Sequence, residues 1–130
     1  MIAPAVATAS PLVTVVIPTR NRASDVVRSV RAMLANDGPT FEVRVVDQSD
    51  DDSTHDALRG LLADVRLTYL RSPERGVSSA RNLGCATARG TLIGFTDDDC
   101  EPSPGWVADI VAAFGLDPEI GMVFGSVLAA

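Results

Sequence analysis

From residue 12 onward the chain alternates short apolar runs of strand length with longer stretches whose apolar positions recur at helical spacing. Leu12–Ile17 (LVTVVI) is almost continuously apolar and β-branched up to Pro18, as expected of a strand covered on both faces. Val26, Val30, Met33 and Leu34 then mark a helix that Asn36-Asp37-Gly38-Pro39 stops. Phe41–Asp47 (FEVRVVD) reads as the second strand, followed by the polar Gln48–Asp52. Ser53 with Asp56 forms a weak capping box, and Leu58, Leu61, Leu62 and Val65 line one face of a second helix. The third strand, Arg66 to Leu70, alternates enough to be placed nearer an edge, and Arg71–Arg75 leave it as a loop. From Gly76 a third helix carries Val77, Ala80, Gly84 and Ala88 on one side, with Gly84 permitting close approach to the sheet. Thr91–Thr96 is the fourth strand. Ser103-Pro104 caps a helix with Val107, Ile110, Val111 and Phe114 on its apolar stripe, which Gly115 ends. Gly121–Leu128 reads as a fifth strand.

Strand and helix alternating through short connections predict an α/β domain: a Rossmann-like, mostly parallel sheet with helices on both faces. Residues 1–11 are expected to be a disordered lead-in and residues 12–130 to form the domain. In such sheets ligands collect beyond the carboxyl ends of the strands. Pro18-Thr19-Arg20-Asn21, Asp47-Gln48-Ser49-Asp50 and Asp97-Asp98-Asp99 each follow an apolar strand, so all three should reach one rim.

Composition narrows the ligand. The 130 residues are 46% hydrophobic and 22% charged, in the range of one globular domain. A net charge of −6 excludes broad electrostatic binding of nucleic acid or anionic lipid, so a polyanionic ligand requires a mediating cation. Two cysteines without CxxC spacing and one histidine suggest neither a disulfide framework nor a zinc cluster, and fit reduced thiols in a cytoplasmic protein. The N-terminus lacks the basic region of a secretory signal, and no apolar run reaches the length of a membrane span.

Three consecutive aspartates are often only a solvated loop. In an extended segment, however, Asp97 and Asp99 share a side while Asp98 points away as an expendable spacer. Two hard carboxylates suit Mg²⁺ or Mn²⁺, which take a few carboxylates together with phosphate oxygens. Asp47 ends a strand where an acid either caps a turn or meets a ribose hydroxyl or base edge. Arg75-Gly76 opens a helix and could draw an anion, with Arg71 and Arg81 near in sequence, although a surface ion pair explains each arginine as well. His55 has no partner at metal spacing. GxGxxG, GxxxxGK[ST] and GxSxG are all absent.

Taken together, VTVVIPTRNR, VRVVDQSDDDS and ERGVSSARNLGCATARGTLIGFTDDDCEPSPGW resemble the family 2 glycosyltransferases, inverting enzymes of the GT-A fold that use nucleotide-diphospho-sugar donors. The resemblance runs from Val13 to about Val127. It implies that Pro18 and Thr19 border the base with Asn21 beside them, that Asp47 contacts base or ribose, and that Arg81 lies close to the nucleotide. It implies further that Asp99 ligates the metal while Asp97 contacts the ribose or the metal shell. Gln48 departs from the aspartate frequent at its position. The family's general base and acceptor pocket belong to a region beyond Ala130, and Glu101, Asp109 and Glu119 do not match that base, so no catalytic base is assigned.

The expectation is therefore the donor-binding half of a metal-dependent, inverting glycosyltransferase, poorly active alone. A non-catalytic nucleotide-sugar-binding module is the competing reading, and a metal-dependent nucleotidyltransferase a more remote one. The last strand, unpaired on one side, is expected to promote self-association. Sugar, base and acceptor are not readable from these residues.

Overall fold

The computed structural model describes residues 10–129. Most of the expected lead-in lies outside the described residues, and Pro11 at its end is buried. Four strands and four helices follow in the order β1 (Val13–Thr19), α1 (Ala23–Leu34), β2 (Phe41–Asp47), α2 (Ser53–Leu58), β3 (Leu67–Arg71), α3 (Val77–Ala86), β4 (Leu92–Phe95) and α4 (Trp106–Gly115). The sheet has the order β3-β2-β1-β4, and every pairing is parallel. The expected α/β architecture is thus realised, with β1 and β2 central and β3 at an edge.

Alternation along β1 and β2 divides the core. Val13, Val15, Ile17, Val43 and Val45 face α1, α2 and α4, where Val26, Val30, Met33, Leu58 and Val107 close over them. Val16 and Val46 face Ala80 of α3 on the other side. Helices therefore cover both faces, as the nearly continuous apolar strands required. A Cβ on Gly84 would lie 2.4 Å from a Val16 methyl, so the close helix–sheet approach read from this glycine is real. Pro18 sits inside β1, although it lacks an N–H. Its backbone edge points to the β4 side, past the last paired residues, Val16 and Phe95, so no ladder bond is lost.

Three expectations are corrected. Gly121–Leu128 is not a strand: no strand of the sheet pairs with it and all of its residues are exposed, because β-propensity without a backbone partner does not make a strand. α2 ends at Leu58, passes into a 3₁₀ turn at Arg59–Leu61 containing Gly60, and leaves Val65 88% exposed. α4 begins at Trp106 rather than at Pro104. Its first turn is capped from a distance: the Val107 N–H donates to Asn36 Oδ1 at 2.9 Å, while Asn36 Nδ2 donates to the Ser103 carbonyl at 3.0 Å. Among the described residues no helix is long and apolar enough to cross a membrane.

Candidate functional site

The register fixes the rim. Thr19, Asp47 and Arg71 are level across β1, β2 and β3, so these chains turn at one end of the sheet, and β4 releases Asp97–Asp99 beside β1. An open cleft of about 390 Å³ lies there. Pro18, Thr19, Arg20 and Arg22 line it from β1 and the loop into α1, and Gln48 lines it from β2. Gly76 and Val77 contribute the start of α3, and Asp97, Asp98 and Asp99 form the remaining side.

The aspartates divide their roles differently from the expectation in one respect. Asp97 and Asp99 are exposed and close together: a carboxylate oxygen of each and Cys100 Sγ lie within 4.8 Å of one another. Asp98 is no expendable spacer. It is 6% exposed and accepts a hydrogen bond from the Thr19 hydroxyl at 2.9 Å, pinning the acidic loop to the end of β1. Ser29 of α1 adds a second tie, donating to the Asp97 carbonyl at 3.2 Å. Burial pushes the Asp98 carboxyl up from its ordinary range, and the Thr19 hydrogen bond and the Arg22 charge only partly oppose this. Its own burial, reinforced by Asp99, raises the Cys100 thiol, so the two hard carboxylates are the better ligands for a hard cation.

Guanidinium groups offset this charge. Arg22 Nη1 lies 3.4 Å from Asp98 and its Nη2 3.6 Å from Asp99, while Nε donates to Asp25 at 3.1 Å. Arg81 Nη2 is 3.7 Å from Asp97, and its guanidinium stands 5.6 Å over the Phe95 ring. Arg81 is thereby brought beside Asp97, although it does not itself line the cleft. Arg71 and Arg75 turn elsewhere, pairing with Asp52 and Asp50 to brace the loop after β2.

The remaining expected residues separate into lining and support. Pro18 and Thr19 line the cleft. Asn21 does not; it adopts a left-handed backbone with φ of 55° and clamps the neighbouring loop. Its N–H donates to Ser49 Oγ at 2.8 Å, its Oδ1 accepts from the Asp50 N–H at 3.0 Å, and its Nδ2 donates to Asp50 at 2.9 Å. Asp47 is fully buried beneath the rim, with one oxygen accepting the Ser49 N–H and the other the Tyr69 hydroxyl. Burial, and then Asp47, raise the Tyr69 hydroxyl so that it stays protonated and donates. Gln48 uses what an aspartate lacks: its Nε2 donates to the Gly76 carbonyl at 2.9 Å and to Ser79 Oγ at 3.0 Å, joining β2 to the start of α3.

A parallel sheet with helices on both faces, opening a cleft lined with aspartates and arginines at its carboxyl ends, is an α/β domain of the GT-A type. Within that class the chain belongs to glycosyl transferase family 2, whose model matches residues 14–128. It is 33% identical over 119 residues to a validoxylamine A glucosyltransferase of Streptomyces hygroscopicus, covering 88% of this chain and 28% of that protein. Among solved structures it is similar to a mannosyltransferase from Pyrobaculum calidifontis in complex with GDP-Man and Mn²⁺. That match has a TM-score of 0.77 and 32% identity, over 88% of this chain and 35% of the other. The fold also matches S. aureus TarS in complex with UDP-GlcNAc, with a TM-score of 0.72 and 24% identity over 80% of this chain and 31% of that one. The chain spans well under half the length of the curated relatives it matches, 36%, 28% and 38% for three of them and as little as 13% for another.

Proposed function

We propose that this chain carries the donor site of a metal-assisted, inverting glycosyltransferase that binds a nucleotide-diphospho-sugar. The observation that carries this reading is the pair Asp97 and Asp99, held at the cleft by the buried Asp98–Thr19 hydrogen bond and flanked by Arg22 and Arg81. The complex of the Pyrobaculum relative with GDP-Man and Mn²⁺ supports the same ligand class. Two exposed hard carboxylates fit Mg²⁺ or Mn²⁺, with Asp99 and Asp97 as the holding residues. When bound, the ion would supply Lewis-acid neutralisation of charge on a departing diphosphate.

The chain's own residues then bind and orient. Pro18 and Val77 offer apolar surface for a base or ribose, Arg20 and Arg22 offer guanidinium donors to phosphate, and Asp98 keeps the two exposed acids in register with β1. In the reaction of such an enzyme an acceptor hydroxyl oxygen forms a bond to the anomeric carbon from the face opposite the diphosphate. The anomeric carbon–oxygen bond breaks, its electron pair leaves with the nucleoside diphosphate, and the hydroxyl proton passes to a base. We read the location as cytoplasmic, from two cysteines that are both free.

Calorimetric titration of GDP and UDP, with and without Mn²⁺, tests the proposal. One of the two nucleotides should bind more tightly with Mn²⁺. Asp99→Asn should remove that enhancement, which amounts to a loss on the order of ten-fold or more from removing one charged ligand. An unchanged Mn²⁺ effect in folded Asp99→Asn, judged by circular dichroism, would refute the metal assignment.

A further inference from the structure

Arg22 occupies an unusual position between the two kinds of aspartate at the cleft. Its Nε is held from behind by Asp25 at 3.1 Å, and the second Asp25 oxygen is taken by Arg28. Its Nη1 faces Asp98, whose position the Thr19 hydroxyl fixes. Neither Asp98 at 3.4 Å nor Asp99 at 3.6 Å is hydrogen-bonded to Arg22, but Asp98 is buried and tied to Thr19, whereas Asp99 is half exposed and available to another cation. One hydrogen bond, to Asp25, and two ion pairs, to the buried Asp98 and the exposed Asp99, hold a planar guanidinium at the mouth of the cleft, with its outer nitrogen against the acid that a divalent cation requires.

We infer that Arg22 is a placeholder for the cation at Asp99 and that, once a cation takes Asp99, its outer nitrogen becomes a ligand for the donor diphosphate. The inference rests on the donor-site reading above and deepens it. A cation arriving alone must share or displace a guanidinium a few ångströms away, so binding of the cation alone is weakened. A diphosphate in the cleft gives the freed Nη2 a new anionic partner, for which the arginine fork is well suited. The two ligands therefore relieve each other's cost. By linkage each must strengthen the other by the same factor. Lysine at this position would keep the charge but not the arrangement of one anchored and one free nitrogen.

The test measures Mn²⁺ alone by the electron paramagnetic resonance signal of the free ion, then Mn²⁺ with GDP or UDP, in the wild-type chain, Arg22→Gln, Arg22→Lys and Asp99→Asn. Arg28→Gln, which loses a partner of Asp25 away from the cleft, is the control. The wild type should show weak Mn²⁺ binding that nucleoside diphosphate strengthens. Arg22→Gln should bind Mn²⁺ alone more tightly, about two- to five-fold, yet bind nucleoside diphosphate with Mn²⁺ more weakly, on the order of ten-fold. These opposite signs are what a merely structural arginine would not produce. Arg22→Lys should keep the weak binding of Mn²⁺ alone and lose part of the diphosphate affinity, which preserves the test if Arg22→Gln fails to fold. Arg22→Gln with Mn²⁺ affinity unchanged or lowered, or with the coupling to nucleotide intact, overturns the inference. Asp99→Asn with undiminished Mn²⁺ binding overturns the donor-site reading instead.

Discussion

Glu42 shows how a residue outside the cleft governs it. It is 6% exposed on the α3 side of the sheet, where it accepts hydrogen bonds from the Thr14 hydroxyl at 2.6 Å, the Arg89 N–H at 2.7 Å and Arg44 at 3.1 Å. Thr14 in turn accepts the Gly90 N–H at 2.8 Å, so this cluster fixes where β4 begins, and β4 has only four residues before the acidic loop. Burial alone would raise the Glu42 carboxyl, but Thr14, Arg89 and Arg44 outweigh it and hold the group below its ordinary value. A carboxyl lowered in the folded state adds stability that is complete above the unfolded value of about 4.3 and lost as pH falls through the native value. Glu42→Gln should therefore cost about 1–3 kcal/mol at pH 7, by leaving Arg44 buried and poorly paired. It should also lose less further stability than the wild type between pH 5 and the acid limb. Urea melts of both proteins across this range check the difference, and parallel curves would contradict it. Nothing in the sequence around Glu42 announced this cluster, because its members come from three separate segments. Arg22 and Asp98 were hidden for the same reason: a strand-end motif identifies which acids approach the rim, but not which buried partner holds them.

Elements were legible where the periodic signal was long and self-contained. Val26, Val30 and Met33 predicted the buried face of α1, and the β-branched runs predicted both central strands. Legibility failed where an element depends on a partner elsewhere: the α4 cap comes from Asn36, and Gly121–Leu128 has strand residues but no ladder. Gly84 was readable because a glycine inside a helix is costly unless something must come close. Its partner makes a sharp prediction. Alanine at this position gains about 1 kcal/mol in helix propensity, but its Cβ would stand 2.4 Å and 2.8 Å from the two methyls of buried Val16. Overpacking of this kind costs about 1–3 kcal/mol, so Gly84→Ala should lower the urea midpoint or leave no net gain, whereas propensity alone would raise it. Val16→Ala in the same chain removes both methyls, and the double mutant should recover part of the loss, a coupling of about 0.5–3 kcal/mol. Strict additivity would mean that α3 shifts away from the sheet at little cost and that the contact does not set its position.

At the scale of the whole molecule the two ends of the sheet order are unequal. β3 is preceded by Arg66 and ends in Arg71, charged residues that discourage another strand from pairing there. β4 is four residues long, has no strand on its outer side among the described residues, and carries Phe95 at 45% exposure. The same molecule exposes Leu116, Met122, Phe124, Val127 and Leu128 along one segment, an amount of apolar surface that water disfavours when it is contiguous. An apolar, strand-forming segment and an unpaired parallel edge are complementary between copies of the chain, while the net charge of −6 opposes close association at low ionic strength. Self-association should therefore strengthen with added salt, the reverse of an association driven by opposite charges, because salt screens the repulsion and leaves apolar burial intact. Sedimentation velocity over a dilution series at low and high salt measures this directly. Phe124→Asp with Leu128→Asp should return the chain to monomer at both salt concentrations and leave Mn²⁺-dependent nucleotide binding unchanged, since neither residue lines the cleft. A wild-type chain that stays monomeric at every concentration and salt would refute association through this segment. A double variant that still associates would move the contact to another surface.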